Sequence, residues 1–217
     1  MLQQNANPIV YILEMHSIIS DDQIIRIKKY LPPERIARAE RYRRKKDHDA
    51  CVAAFFLLIY GLKAIGIKSV PQIGFGKYGK PFFPDVDINF NISHCDKAVC
   101  CGISKDNIGV DIQDSITDFE GILRYSMTDK EAQFIHSSAD QSSAFTRQWC
   151  IKESFLKFNG TGLNYPLDKL EILNSRNSFT YSNCLFTVSP SSDYVVCSCT
   201  SGLTPIFIKK DLSEYLL

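Results

Sequence analysis

Asp111, Glu153 and Lys157 are the side chains whose types and spacing could do chemistry together. Asp111 sits in Gly109-Val110-Asp111-Ile112-Gln113, an acid in an apolar frame. Alternate residues of a strand share a face, so Val110 and Ile112 point to a core while Asp111 and Gln113 share the other side. Two oxygen-bearing side chains on one face can reach one hard cation. Downstream, Trp149, Glu153 and Lys157 recur every four residues as one stripe of a helix. Ile151, Phe155 and Phe158 form a separate, apolar stripe. An acid on a strand, a second acid on a helix and a lysine one turn beyond it can hold a divalent metal against a phosphorylated group. The same residues also fit an acid ending a strand and an ordinary i,i+4 surface pair, which contributes about 0.2–0.5 kcal/mol. Trp149 weighs against the surface reading, because a large aromatic usually lies in a cleft or core.

Other segments could bind anions. From Arg26 to Lys46 there are ten basic residues and two acids, Glu34 and Glu40. That run fits either a solvated helix face or an anion site. Asn91-Ile92-Ser93-His94 ends a strand-like run and offers donors suited to phosphate oxygens; His16, His48 and His136 have no comparable setting. Gly74-x-Gly76-x-x-Gly79-Lys80-Pro81 satisfies two phosphate-loop patterns by count. Both need a helix at the last glycine, and one needs Ser or Thr after the lysine. Pro81-Phe82-Phe83-Pro84 reads as extended chain, so what survives is a glycine turn presenting Lys80 to an anion. A Cys95–His94 nucleophile is disfavoured because neighbours on a strand point opposite ways.

The elements that must position these residues read as two similar halves. Ile9–Met15 is strand-like, Ser20-x-x-Gln23 opens a helical stretch, and a second helix is expected from about Glu34 to Leu62. Strands follow around Pro81–Phe83, Ile88–Ser93 and Val99–Ser104. The order then repeats: a strand at Ile108–Ile112, a capping box at Thr128-x-x-Glu131, a helix from about Ser142 to Phe158, and strands at Lys169–Leu173, Ser178–Val188, Tyr194–Thr200 and Ile206–Lys209. The pattern predicts a duplicated α+β unit with a seam near Asp106 and a ligand cleft between the halves.

Composition agrees with a folded enzyme-sized chain. The 217 residues are 45% hydrophobic with a net charge of +1, enough for a core and no global requirement for a charged partner surface. No signal-peptide pattern precedes Met15, and the longest apolar run, Ala50 to Tyr60, is too short to span a bilayer. Eight cysteines lie in apolar runs without metal-ligand spacing, which predicts free buried thiols in a reducing cytosol.

Four segments in this order resemble the Sfp-type 4'-phosphopantetheinyl transferases: Tyr78-Gly79-Lys80-Pro81, Phe90-Asn91-Ile92-Ser93-His94, Ile108-Gly109-Val110-Asp111-Ile112 and Trp149-x-x-Lys152-Glu153-Ser154-x-x-Lys157. The basic stretch Pro33-Glu34-Arg35-x-x-Arg38 fits too. The resemblance implies two α+β halves related by pseudo-twofold symmetry, residues 1–106 and 107–217, with the active site in the cleft between them. It implies an enzyme of the holo-acyl-carrier-protein synthase type. Such an enzyme moves 4'-phosphopantetheine from coenzyme A to a serine of an apo acyl or peptidyl carrier protein, with Mg2+, and releases adenosine 3',5'-bisphosphate. Carried over by residue, Asp111, Gln113 and Glu153 are the expected metal ligands, and Glu153 is also the candidate base. Lys157 steadies the phosphates. Arg35, Arg38, Lys80, Pro81, Ser93 and His94 are expected to contact coenzyme A.

Two departures stand out. Many family members have Glu where this chain has Gln113, which removes one negative charge from the metal site; a catalytically silent carrier- or nucleotide-binding protein of the same fold is the alternative this suggests. Cys51 and Cys95 replace hydroxyl residues. The expected protein is a cytoplasmic monomer without nucleic-acid or membrane partners. Its carrier could belong to fatty-acid, polyketide or nonribosomal-peptide synthesis and would be contacted near Phe119, Ile122 and Leu123.

Overall fold

The computed structural model describes residues 6–15 and 19–216; His16 lies outside them. Ten strands and seven α-helices are found among the described residues. In the first half they are β1 (Ile9–Glu14), α1 (Asp21–Lys28), α2 (Pro33–Ala39), α3 (Lys45–Ala64), a short hairpin β2 (Gly74–Phe75) and β3 (Pro81–Phe82), β4 (Asn89–His94) and β5 (Ala98–Ser104). Then come β6 (Ile108–Asp114), α4 (Glu120–Ser126), α5 (Asp129–Ser137), α6 (Gln141–Asn159), β7 (Ser178–Tyr181), β8 (Cys184–Pro190), β9 (Tyr194–Thr200), β10 (Ile206–Lys210) and α7 (Leu212–Tyr215).

Two four-stranded sheets result, ordered β10-β1-β5-β4 and β6-β9-β8-β7. The orders β1-β5-β4 and β6-β9-β8 match, every pairing within them is antiparallel, and each set is served by one long helix, α3 or α6. The mixed α+β duplication read from the pattern is therefore present in the topology. β10 crosses back and pairs parallel to β1 in the first sheet.

Period-two patterning sorts the side chains into layers. Tyr11, Leu13, Val99, Cys101 and Ile103 pack with the buried residues of α3. From the opposite face, Val10, Ile12, Ala98 and Cys100 meet Ile108, Val110, Ile112 and Val196 between the sheets. The outer face of the second sheet, with Phe186, Val188, Cys197 and Cys199, packs on Cys150, Ile151 and Leu156 of α6. All eight cysteines are free, six of them buried, so they act as small core residues.

Both expected capping boxes form, Ser20 with Gln23 and Thr128 with Glu131. Three expectations change. The helix expected over Glu34–Leu62 is two helices, broken where Arg44 turns extended (φ −91°, ψ 131°). In one continuous helix Arg35 and Phe55 would be about 30 Å apart; the break folds α2 back so that the Arg35 guanidinium lies 4.2 Å from the Phe55 ring centroid. The run expected as one strand over Ser178–Val188 is a hairpin, turning at Ser182 and Asn183, both with positive φ (47° and 61°). Lys169–Leu173 makes no strand. Its backbone is served by side chains instead: Ile172 N–H donates to Glu131 Oε1 (3.0 Å) and Ile172 O accepts from Gln148 Nε2 (2.6 Å).

Candidate active site

β4, β6 and α6 converge on one carboxylate. Asp111 is on the face of β6 that meets α6, and Gly109 shares that face two residues earlier. A Cβ at 109 would lie 2.1 Å from Ser154 O and 2.3 Å from Phe158 N, so only glycine lets the helix come this close. At that approach Lys157 Nζ donates to Asp111 Oδ1 at 2.6 Å. Ser93 Oγ donates to the same oxygen at 2.7 Å and accepts from Lys157 Nζ at 2.7 Å. The two sheet edges are tied by Asn91, whose Oδ1 accepts from Val110 N–H at 2.8 Å.

The charges in this cluster do not balance. Asp111 is 4% exposed, and its second oxygen, Oδ2, is buried without a partner among the described residues. Such an atom carries a desolvation cost of about 1–3 kcal/mol until a donor or cation reaches it. Burial raises the Glu153 pKa, and the field of Asp111 raises it further against the opposing pull of Lys157. For Lys157, burial works against the charge. Asp111, through its charge and hydrogen bond, and then Glu153 outweigh it and hold the ammonium above its ordinary pKa. One ammonium thus serves two carboxylates. Gln113 is half-buried and, by strand period, two residues along the same face of β6 as Asp111.

Beyond His94 the cleft continues into a pocket of about 210 Å³ lined by Arg35, Arg38, Cys51, Phe55, Pro81 and His94 among others. A wider space of about 550 Å³ extends it past Arg35, Arg38, Phe55 and Phe75. Arg35 Nε is buried without a partner among the described residues, and burial lowers its pKa. A guanidinium stays charged, so this is an under-solvated cation facing a pocket, suited to an anion. His94 is exposed at the end of β4; partial desolvation of its ring, then the charge of Lys157, lowers its pKa.

The structure therefore brings together Asp111, Glu153, Lys157 and Ser93, leaves Gln113 half-buried further along β6, and places Arg35, Arg38, Pro81 and His94 along the adjoining pocket. Lys80 goes elsewhere. Its Nζ donates to Asn107 Oδ1 (2.6 Å), Ile108 O (3.2 Å) and Phe158 O (2.9 Å) instead of facing the pocket. With only neutral acceptors around it, burial lowers its pKa to about 8. Trp149 packs 6.1 Å from Phe145, ring centre to ring centre, and belongs to the core. Asp114, which points off the ligand face, accepts from the Asp96 and Lys97 N–H groups (2.8 and 3.1 Å) and closes the β4–β5 turn. Cys95 has its thiol pKa pushed up by burial, which removes it as a nucleophile. Phe119 and Leu123 are buried at 4% and 7% exposure, so of the expected carrier contacts only Ile122, at 39%, is on the surface.

One cluster was not anticipated. Lys152, beside Glu153, is 1% exposed and forms a buried ion pair with Glu131, itself fully buried. Lys152 Nζ also donates to Ser126 O (2.7 Å) and Leu167 O (3.0 Å). Glu131 accepts in addition from Thr128 N–H (2.8 Å), Gln148 Nε2 (3.0 Å) and Ile172 N–H (3.0 Å). The i,i+4 spacing of Gln148 and Lys152, on the side of α6 away from Glu153, was the available signal.

Residues 107–199, which include Asp111, Gln113, Glu153 and Lys157, match the 4'-phosphopantetheinyl transferase superfamily. The chain is 29% identical over 172 residues to the 4'-phosphopantetheinyl transferase Sfp of Bacillus subtilis (strain 168), covering 75% of each chain. It is 39% identical over 99 residues to the 4'-phosphopantetheinyl transferase gsp of Aneurinibacillus migulanus, covering 44% of this chain and 41% of that one. Over 99 residues it is 38% identical to the human L-aminoadipate-semialdehyde dehydrogenase-phosphopantetheinyl transferase, covering 41% and 32%. An acid, a second acid and a lysine at the seam of this α+β fold fit a phosphoryl-group transferase, and residues 107–199, which hold all three, match the 4'-phosphopantetheinyl transferase superfamily.

Proposed function

We propose that the protein transfers the 4'-phosphopantetheine group of coenzyme A to a serine of an apo acyl or peptidyl carrier protein. The observation that carries this reading is the charge imbalance at Asp111: a buried carboxylate with one oxygen unpartnered among the described residues, a second carboxylate raised by burial and by the field of the first, and one lysine between them. These are hard oxygen donors short of positive charge, which fits Mg2+. Asp111 and Glu153 would hold the ion with the Gln113 carbonyl oxygen, and when bound it supplies charge neutralisation on the pyrophosphate.

The chain's own residues do the rest. Arg35 and Arg38 hold the 3'-phosphate in the pocket behind His94. His94 donates a ring N–H to a phosphate oxygen. Lys157 releases part of its hold on Asp111 and compensates the charge spread over the reacting phosphate. The Glu153 carboxylate accepts the proton of the carrier serine as its oxygen forms the bond to the β-phosphorus. The bond from that phosphorus to the leaving oxygen breaks, and adenosine 3',5'-bisphosphate departs. Residues 1–106 would take the nucleotide and 107–217 the metal and base, in a cytoplasmic monomer with no nucleic-acid or membrane partner. Among the described residues no helix is long and apolar enough to cross a membrane.

The test is direct: incubate the protein with an apo carrier, coenzyme A and Mg2+, and weigh the carrier. A gain of one phosphopantetheine is expected; carrier binding without any gain would establish the silent alternative.

Gln113 gives a second expectation. Magnesium commonly takes one or two carboxylates plus substrate phosphates, so a carboxamide here preserves activity while weakening the hold on the metal. Gln113→Glu adds a negative charge and is expected to lower the Mg2+ concentration at half-maximal transfer. An unchanged or higher midpoint in a Mg2+ titration would show that Gln113 lies outside the metal site.

A further inference from the structure

Lys80 joins two parts of the molecule that share no sheet. It follows the turn of the β2–β3 hairpin, whose residues Phe75, Gly79 and Pro81 line the pocket beside Arg35. Its side chain leaves that pocket and reaches the seam between the halves. There Nζ uses all three protons, on Asn107 Oδ1 (2.6 Å), Ile108 O (3.2 Å) and Phe158 O (2.9 Å). Ile108 begins β6, the strand of Asp111, and Phe158 is in the last turn of α6, next to Lys157. A cation at the carbonyl end of a helix also meets the negative end of its dipole. The stem is fitted as closely as the head. α6 ends on Gly160 in the left-handed region (φ 68°), and a Cβ there would stand 3.1 Å from Lys80 Cδ. Asn107 completes the joint by donating from Nδ2 to Phe158 O at 2.6 Å.

We propose that Lys80 is a positioning residue that couples the pocket-lining hairpin to the end of α6, so that a nucleotide seated against Phe75 and Pro81 fixes where Glu153 and Lys157 stand. This rests on the transferase reading of the cleft. Lys80 acts through the helix and not by touching the phosphates.

Lys80→Met keeps the stem and removes the ammonium. The variant is expected to fold, because Asn107 Nδ2 still serves Phe158 O and Ile108 N–H still serves Asn107 Oδ1 (3.1 Å). The protein and the variant are compared in carrier modification and in amide hydrogen exchange, each with and without coenzyme A. The expected result is a loss of kcat of about 10- to 100-fold, as for a displaced catalytic group. The coenzyme A KM should move far less, and exchange in the last turn of α6 should be faster. Coenzyme A protects that turn in the unaltered protein and not in the variant. Asn107→Ala is expected to shift kcat and exchange in the same direction, which separates the joint from any peculiarity of the substituted thioether side chain. A rise confined to KM would mean direct contact with coenzyme A and overturn the proposal, as would unchanged exchange in that turn. Absence of transfer by the unaltered protein would instead refute the transferase reading, and the exchange comparison would still decide the coupling.

Discussion

Glu153→Gln is expected to abolish carrier modification while leaving the fold intact. The amide keeps the shape of the side chain but cannot take the serine proton, a contribution of about 10²–10⁴-fold for a positioned base. It also removes one of the two carboxylate charges from the metal site, so the measured loss should reach or exceed the upper end of that range. Stability should move the other way. Burial and the neighbouring charge of Asp111 both disfavour ionised Glu153, so neutralising it relieves like-charge repulsion. Lys157 retains its bonds to Asp111 and Ser93. The checks are single-turnover carrier modification and the thermal midpoint without Mg2+: transfer should vanish and the midpoint should hold or rise. Near-normal turnover would remove Glu153 from the proton-accepting role; a collapsed midpoint would mean that its charge supports the fold.

The largest stability effect belongs one residue earlier. Breaking a buried ion pair by removing one partner strands the other charge and costs about 3–5 kcal/mol. Lys152→Met should fall in that range, since Glu131 would stay fully buried with its Oε2 facing no cation. Glu131→Ala should cost more, because four functions go with it. The carboxylate caps α5 at Thr128, anchors Gln148, satisfies the Ile172 amide and compensates Lys152. Lys152→Met with Glu131→Ala should be less damaging than the sum of its parts, since neither charge is then left alone. Denaturant midpoints of the four proteins measure this cycle. Singles within about 0.5 kcal/mol of the unaltered protein would mean that water reaches the pair, since that is the range of ordinary surface substitutions. Because the pair fixes α6 against α5 and the 167–172 segment, partial loss should also reach activity through the placement of Glu153.

Local rules read much of the frame from the chain. Period-two alternation put Val110 and Ile112 into the inter-sheet core and left Asp111 on the opposite face. The Thr128-x-x-Glu131 spacing located a helix start. It could not reveal that the same glutamate would be fully buried and serve Lys152, 21 residues on. Helix periodicity ran α2 and α3 together because every residue of Glu40–Arg44 is compatible with a helix; only packing of Arg35 over Phe55 demands the break. The run at Lys169–Leu173 has strand composition, yet its backbone partners are side chains of α5 and α6, which no local pattern encodes.

The same division holds at the site. By itself the sequence determined which groups are available: two acids, a lysine, two arginines in a basic run, and a glycine at 109. It also determined which faces of strand and helix they occupy, because those depend only on backbone period. Tertiary structure alone decided what each charge meets. Lys157 could have paired with Glu153 four residues away, but it bonds Asp111, 46 residues distant, because Gly109 lets α6 lie against β6. Lys80 could have faced an anion and instead closes the joint between the halves. Charge pairing is set by distance and desolvation, and both are properties of the packed molecule, not of spacing along the chain.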